Sequence, residues 1–228
     1  MNQKRCLVIF VKYPEKGKVK SRLVLGDDDG YVADLYHCFI EDLLERVSSG
    51  NYRFLIAFDP PEKETAFAEL FGKNFSYMPQ TGADLGKRMH NAFAACFAEG
   101  FQSVVLIGSD SPDLPREIIE KAFGSLDSYK AVIGPTYDGG YYLIGFSKES
   151  FSEVFFENMV WSTNSVYAET IRRFEQEGIS FHVLPTWRDI DTVNDLKALL
   201  KDCEHSDFDR SKTVRFLKDK GFADHDNR

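Results

Sequence analysis

Short apolar runs alternate with amphipathic stretches of helical period from residue 6 to residue 202, and this alternation restricts the chain more than any other feature. A strand, a helix of ten or more residues and a second strand make a right-handed crossover, so the strands line up in a mostly parallel sheet. Strands are read at 6–11, 52–58, 75–79, 103–108, 131–135, 141–146 and 181–184, and helices at 29–48, 62–71, 84–99, 115–126, 163–177 and 193–202. The first helix shows Val32, Leu35, Tyr36, Phe39, Ile40, Leu43, Leu44 and Val47 at offsets of three and four, with Asp28 or Asp29 available as its N-cap. The run SVVLIG at 103–108 lacks polar alternation, which places it centrally, covered on both faces. Pro115 suits the first turn of the helix after it, and Asp113 suits the cap. The expected fold is α/β, three layers (α/β/α) around a mostly parallel sheet. Residues 1–205 read as one domain, and 206–228 as a peripheral helix near 211–220 with a polar tail.

A chain of 228 residues buries enough surface to need no disulfide or structural metal. Its net charge of -8 argues against general binding to nucleic acid or anionic membrane. The first apolar run stops at Lys12, too short for a signal segment or a membrane span. Cys6, Cys38, Cys96 and Cys203 form no CxxC or Cys/His cluster. They read as reduced, buried thiols of a cytoplasmic protein rather than zinc ligands.

Ligands of such sheets bind beyond the C-terminal ends of the strands, so the polar residues there are the candidates. The loop after the first strand holds Lys12, Lys16, Lys18, Lys20 and Arg22 with one acid, Glu15, in eleven residues, plus Gly17. Such a loop suits a di- or triphosphate, although a solvated charged loop is the plain alternative. Neither a Walker P-loop nor GxGxxG is present. Asp110 stands where the central strand stops before Pro112, the carboxylate position that Mg²⁺ favours. Asp138 precedes Gly139 and Gly140, which permit a close ligand approach or a simple Asp-Gly turn between strands. Tyr141 and Tyr142 then point to opposite faces, so only one is expected to line a pocket. Asp189 and Asp191 share one side of an extended segment and repel unless a cation lies between them; alternatively Asp191 or Thr192 caps the next helix. In the stretch 81–88, Asp84 caps its helix, and Lys87 or Arg88 can reach a phosphate.

Taken together, the stretches FVKYPEKGKVKSRL, DLGKRM, LIGSDSPDL, GPTYDGGYYLIGF, VWSTNSV and DIDTVNDL resemble a bacterial family of small GT-A-fold proteins, the nucleotide-diphospho-sugar transferases or glycosyltransferases. They come in the family's order and span residues 6 to about 200. The wider superfamily holds guanylyl- and cytidylyltransferases. The resemblance implies a nucleotide or nucleotide-sugar donor, a small-molecule acceptor and Mg²⁺ (or Mn²⁺). It puts Lys12, Lys16, Gly17, Lys18, Lys20 and Arg22 of the first loop at the phosphates, to which the stretch 81–88 adds Arg88, and Asp110 at the metal, with Asp189 or Asp191 as the second metal aspartate. Asp110 and Asp138 are the catalytic candidates, and Gly139, Gly140, Tyr141 and Trp161 the candidates at the substrate. The chain lacks the GGxGxR loop of pyrophosphorylases and the DxD of glycosyltransferases, which leaves nucleotidyl and glycosyl transfer both open. A non-catalytic nucleotide-sugar or phosphate-binding module is the competing class. A phosphatase-like hydrolase is disfavoured, because DxDx[TV] after the first strand is missing.

Overall fold

The computed structural model describes residues 4–24 and 30–222. Its strands are β1 (Arg5–Lys12), β2 (Arg53–Asp59), β3 (Ser76–Pro79), β4 (Ser103–Ile107), β5 (Ala131–Pro135), β6 (Tyr141–Ser147) and β7 (Phe181–Val183). They form one sheet in the order β3-β2-β1-β4-β6-β5-β7. Only β6 runs against its neighbours, so the sheet is mostly parallel, as expected. The apolar β4 takes the middle position, where both of its faces are covered.

The helices are α1 (Gly30–Val47), α2 (Glu64–Phe71), α3 (Leu85–Ala98), α4 (Arg116–Ser125), α5 (Val166–Gln176), α6 (Val193–Asp202) and α7 (Lys212–Asp219). Period-two alternation divides the core between two layers. Leu7, Ile9 and Val11 of β1 join Val105 and Ile107 of β4 against α1, α4, α6 and α7. Cys6 and Val8 join Val104 and Leu106 against α3 and the phenylalanine-rich packing under α5. The three-layer fold follows directly.

Several expectations shift in the details. Pro115 occupies the cap position of α4 rather than its first turn, and the cap makes no side-chain hydrogen bond. Asp113 does not cap α4; its carboxylate accepts the indole N–H of Trp187 at 3.2 Å. The expected cap at Asp28 or Asp29 lies outside the described residues. Helix α5 starts three residues later than read, because Ser162 adopts a left-handed φ of 61° and 163–165 remain in the loop. Cys6, Cys96 and Cys203 are buried free thiols, whereas Cys38 is only half-buried.

The C-terminal helix is docked. Asp42 of α1, itself buried, accepts the backbone N–H groups of Lys212 and Thr213 at 2.9 and 2.7 Å. A carboxylate there satisfies orphan donors of the α7 N-terminus. Val214 and Leu217 complete the seam within the larger core cluster. No helix among the described residues is long and apolar enough to cross a membrane.

The connections place the ligand crevice. From β1 the chain runs outward to β2 and β3, then returns to lay β4 on the other side of β1. The strand order therefore reverses between β1 and β4, and a crevice opens beyond their C-terminal ends.

Candidate functional site

A cleft of about 810 Å³ occupies that crevice. The first loop forms one wall. A short 3-10 turn, Ser21–Leu23, follows Lys20, which sits in a left-handed conformation with φ 49° and ψ 39°. That backbone turns the lysine inward, so its side chain is only 7% exposed.

The opposite wall comes from the end of β4 and from a late extended segment. Trp187 N–H donates to the Pro135 carbonyl at 3.1 Å, and Ile190 N–H to the Asp110 carbonyl at 2.8 Å. These two bonds lay residues 187–190 along the strand ends. Ile190 turns into the core while Asp189 and Asp191 line the cleft, as the alternation requires. Thr192, not Asp191, caps α6, in a reciprocal capping box with Asp195. Asp191 is thus left for the cleft.

Lys20 joins the two walls. Its ammonium donates to Asp110 Oδ1 at 2.6 Å, Asp191 Oδ1 at 2.8 Å and the Ile190 carbonyl at 2.8 Å. Burial works against its charge, but Asp110 and Asp191 outweigh that and hold it above the ordinary lysine value. Asp189 completes the acidic group and accepts the Ser111 hydroxyl at 2.8 Å. Burial, then the charge of Asp110, push its carboxyl up to about 7. The Tyr36 and Ser109 hydroxyls lie 2.6 Å apart beneath the cluster, and Tyr36 OH accepts the Lys12 N–H. The carboxylates and hydroxyls here are hard oxygens, the set that Mg²⁺ or Mn²⁺ takes. Among the described residues no three acidic, imidazole or thiol groups close around one point as a finished metal cage. The Lys20 ammonium stands between two of the three carboxylates.

The Asp189 shift has a consequence for stability. Its folded value lies above the unfolded 3.8, so the folded state keeps a proton that the unfolded chain releases. This stabilisation is complete below the unfolded value and is lost as pH rises through about 7. Asp189→Asn, measured with a chelator present, should therefore raise the melting temperature at pH 8 by roughly 5 °C (about 2 kcal/mol) and change it little at pH 4. Equal effects at both pH values would contradict this assignment.

The cleft wall also includes Lys12, Lys18, Arg22, Arg88, Asp138, Gly140, Tyr141 and Trp161, whereas Lys16, Gly17 and Gly139 stand outside it. Lys18 pairs with Glu15 at 2.9 Å, and Arg88 with Asp59 at 3.1 Å. Asp138 lies in the β5–β6 turn, where its Oδ1 accepts from the Thr136 hydroxyl and the Gly140 N–H. It is therefore both a turn residue and a cleft residue. Gly139 does not make room for a ligand: at φ +90° its α-carbon abuts Asn164, whose carbonyl an added Cβ would strike. Tyr141 and Tyr142 do face opposite layers, yet both reach the wall, because the cleft straddles the sheet edge.

Gln80 was not legible as a site residue. Its side-chain amide donates to the Ala57 and Val11 carbonyls at 2.8 and 3.4 Å, so its orientation at the cleft is fixed. Nothing local in the sequence marks it, since the fixing partners are backbone atoms of two other strands.

The model of a family of uncharacterized proteins conserved in bacteria (DUF2064) matches residues 43–163. No match is found among curated protein sequences. A crystal structure from Desulfovibrio desulfuricans G20, provisionally designated a nucleotide-diphospho-sugar transferase, is 39% identical, with 96% of each chain covered and a TM-score of 0.91. A cytidylyltransferase from Leptospira borgpetersenii serovar Hardjo-bovis shares 15% identity over 99% of this chain and 98% of its own, at TM-score 0.57. A CMP:2-keto-3-deoxy-manno-octonic acid synthetase complexed with CTP shares 12% over 89% of this chain and 99% of its own, at TM-score 0.54. These last two show the shared fold alone. With its family model matched over more than half its length, the chain belongs to the DUF2064 family and has the fold of the nucleotide-diphospho-sugar transferases.

Proposed function

We propose that this protein is a Mg²⁺-dependent transferase that moves a nucleotidyl or glycosyl group from a nucleotide donor to a small acceptor. The observation that carries the reading is the convergence of Asp110, Asp189 and Asp191 with the cationic first loop in one cleft. Lys18, Lys20 and Arg22 supply positive charge for a polyphosphate, and the carboxylates would hold the metal. Mg²⁺ would supply charge neutralisation on the phosphate oxygens. The number of cations speaks for a triphosphate donor, hence nucleotidyl transfer, and the family resemblance for glycosyl transfer. In nucleotidyl transfer an acceptor oxygen attacks the α-phosphorus, the bond from it to the β-phosphate oxygen breaks, and pyrophosphate leaves. A phosphate acceptor has no proton to lose, and an alcohol releases its proton to water. Lys18 and Arg22 would stabilise charge on the departing group. Asp138, with one oxygen engaged in its own turn, would orient the acceptor, beside Tyr141 and Trp161.

The deciding experiment incubates the protein with Mg²⁺, a panel of nucleoside triphosphates and nucleotide-sugars, and sugar phosphates or alcohols as acceptors. Pyrophosphate release identifies nucleotidyl transfer, and nucleoside diphosphate release identifies glycosyl transfer. Binding without either product across the panel would leave a binding module. A second check concerns the loop. Lys18→Ala with Arg22→Ala spares the buried Lys20 and should weaken triphosphate binding roughly tenfold at low salt, less at high salt. Unchanged affinity would return those side chains to solvent.

A further inference from the structure

A divalent ion at Asp110 and Asp191 would need the space that the Lys20 ammonium fills. Three oxygens surround that nitrogen, two of them carboxylate, at 2.6 to 2.8 Å. This is about half the oxygen shell that Mg²⁺ requires. Lys20 makes these contacts from a left-handed backbone, φ 49°, a conformation that costs a non-glycine residue on the order of 1 kcal/mol or more. Lys18 and Arg22, two residues away on either side, are exposed at the same cleft and make no ion pair with the acidic cluster. A polyphosphate reaching those two side chains arrives within reach of the flexible Lys20 stem.

We propose that Lys20 is a resident counter-ion exchanged for the metal: in the nucleotide-free protein it closes Asp110 and Asp191 to divalent cations, and an incoming polyphosphate draws the ammonium onto itself and opens them. The reading rests on the carboxylates being the metal site, as proposed above. It assigns Lys20 two successive partners, acids first and phosphate oxygens second, and it makes metal and polyphosphate bind cooperatively. Such coupling is reciprocal, so each ligand tightens the other by the same factor.

Mn²⁺ titrations followed by electron paramagnetic resonance test this, with inorganic tripolyphosphate as the anion and its own complexation of Mn²⁺ subtracted. The wild-type protein should bind Mn²⁺ alone weakly, and at least about tenfold more tightly once tripolyphosphate is bound. Lys20→Met keeps the stem and removes the charge, and should bind Mn²⁺ alone at least about tenfold more tightly than wild type. Adding Asp110→Asn to it should abolish that gain. Lys20→Arg, which keeps the charge, should stay as weak as wild type. If Lys20→Met does not fold, Lys20→Gln, which also removes the charge and keeps most of the stem, carries the same test. Equal Mn²⁺ binding by Lys20→Met and wild type, still lost on Asp110→Asn, would overturn the exchange and leave the metal site standing. Absence of Mn²⁺ binding in every protein, with and without tripolyphosphate, would overturn both, and Lys20 would then be the permanent cation of the cleft.

Discussion

On the proposed function, Asp110→Asn is expected to lower Mg²⁺-dependent turnover by roughly a hundredfold or more, about 2.7 kcal/mol, while the protein stays folded. The substitution is nearly isosteric at the end of β4, and Ile190 still bonds the backbone carbonyl of residue 110. What disappears is one of the two carboxylates that meet Lys20 and, on the proposed reading, the metal. The effect on stability is small because two changes oppose each other. Lys20 loses one ion pair, whereas Asp189 loses the like charge that helps push up its carboxyl. Initial rates across a Mg²⁺ series, paired with melting curves, check the result. Wild-type metal dependence in the variant would remove Asp110 from the site.

Gly139→Ala is expected to damage both the fold and the cleft. The residue sits at φ +90°, and an added Cβ would collide with the backbone carbonyl of Asn164. Neither obstacle is a side chain that can rotate away. The Gly139 carbonyl also accepts the Tyr167 N–H at 2.9 Å, which ties the β5–β6 turn to the start of α5. Relief requires the turn to part from the 163–166 segment, and Asp138, Asn164 and Trp161 move with them. The expected cost is about 3 kcal/mol, or roughly 6–12 °C in melting temperature, with a large rise in the KM of the acceptor. Gly140→Ala provides the contrast. Its φ is not in the left-handed region, and its Cβ would meet only the Thr136 hydroxyl at 3.0 Å and the Asp138 carboxylate at 3.3 Å. Its effect should be several-fold milder. Equal melting temperatures for Gly139→Ala and wild type would show that the turn is not pinned.

The architecture was legible because it is written in local periodicity. The stripe on α1 and the unbroken apolar run of β4 gave type, length and burial without any long-range information. Strand-end placement then drew attention to Asp110, Asp138, Asp189 and Asp191, all of which line the cleft. What local pattern could not resolve were choices between competing partners. Asp113 looked like a cap, but a buried indole N–H claimed it. The paired glycines allowed either a close ligand approach or an Asp-Gly turn, and Gly139 packs against its own chain in that turn. The first loop offered five cations as phosphate ligands. Only the left-handed turn at Lys20 separates the one buried among carboxylates from Lys16, which stands outside the cleft. Gln80 was missed for the same reason, because its bonding partners lie on β2 and at the end of β1.

The proposed function requires the first loop and, through the metal, the strand-end aspartates to hold one polyphosphate between them. Crystals grown with Mn²⁺ and a non-hydrolysable nucleoside triphosphate, measured at the manganese absorption edge, test this most directly. The predicted anomalous peak lies within coordination distance of Asp110 and of Asp189 or Asp191, with the phosphates reaching Lys18, Lys20 and Arg22. Phosphates bound elsewhere, or manganese away from all three carboxylates, would contradict it.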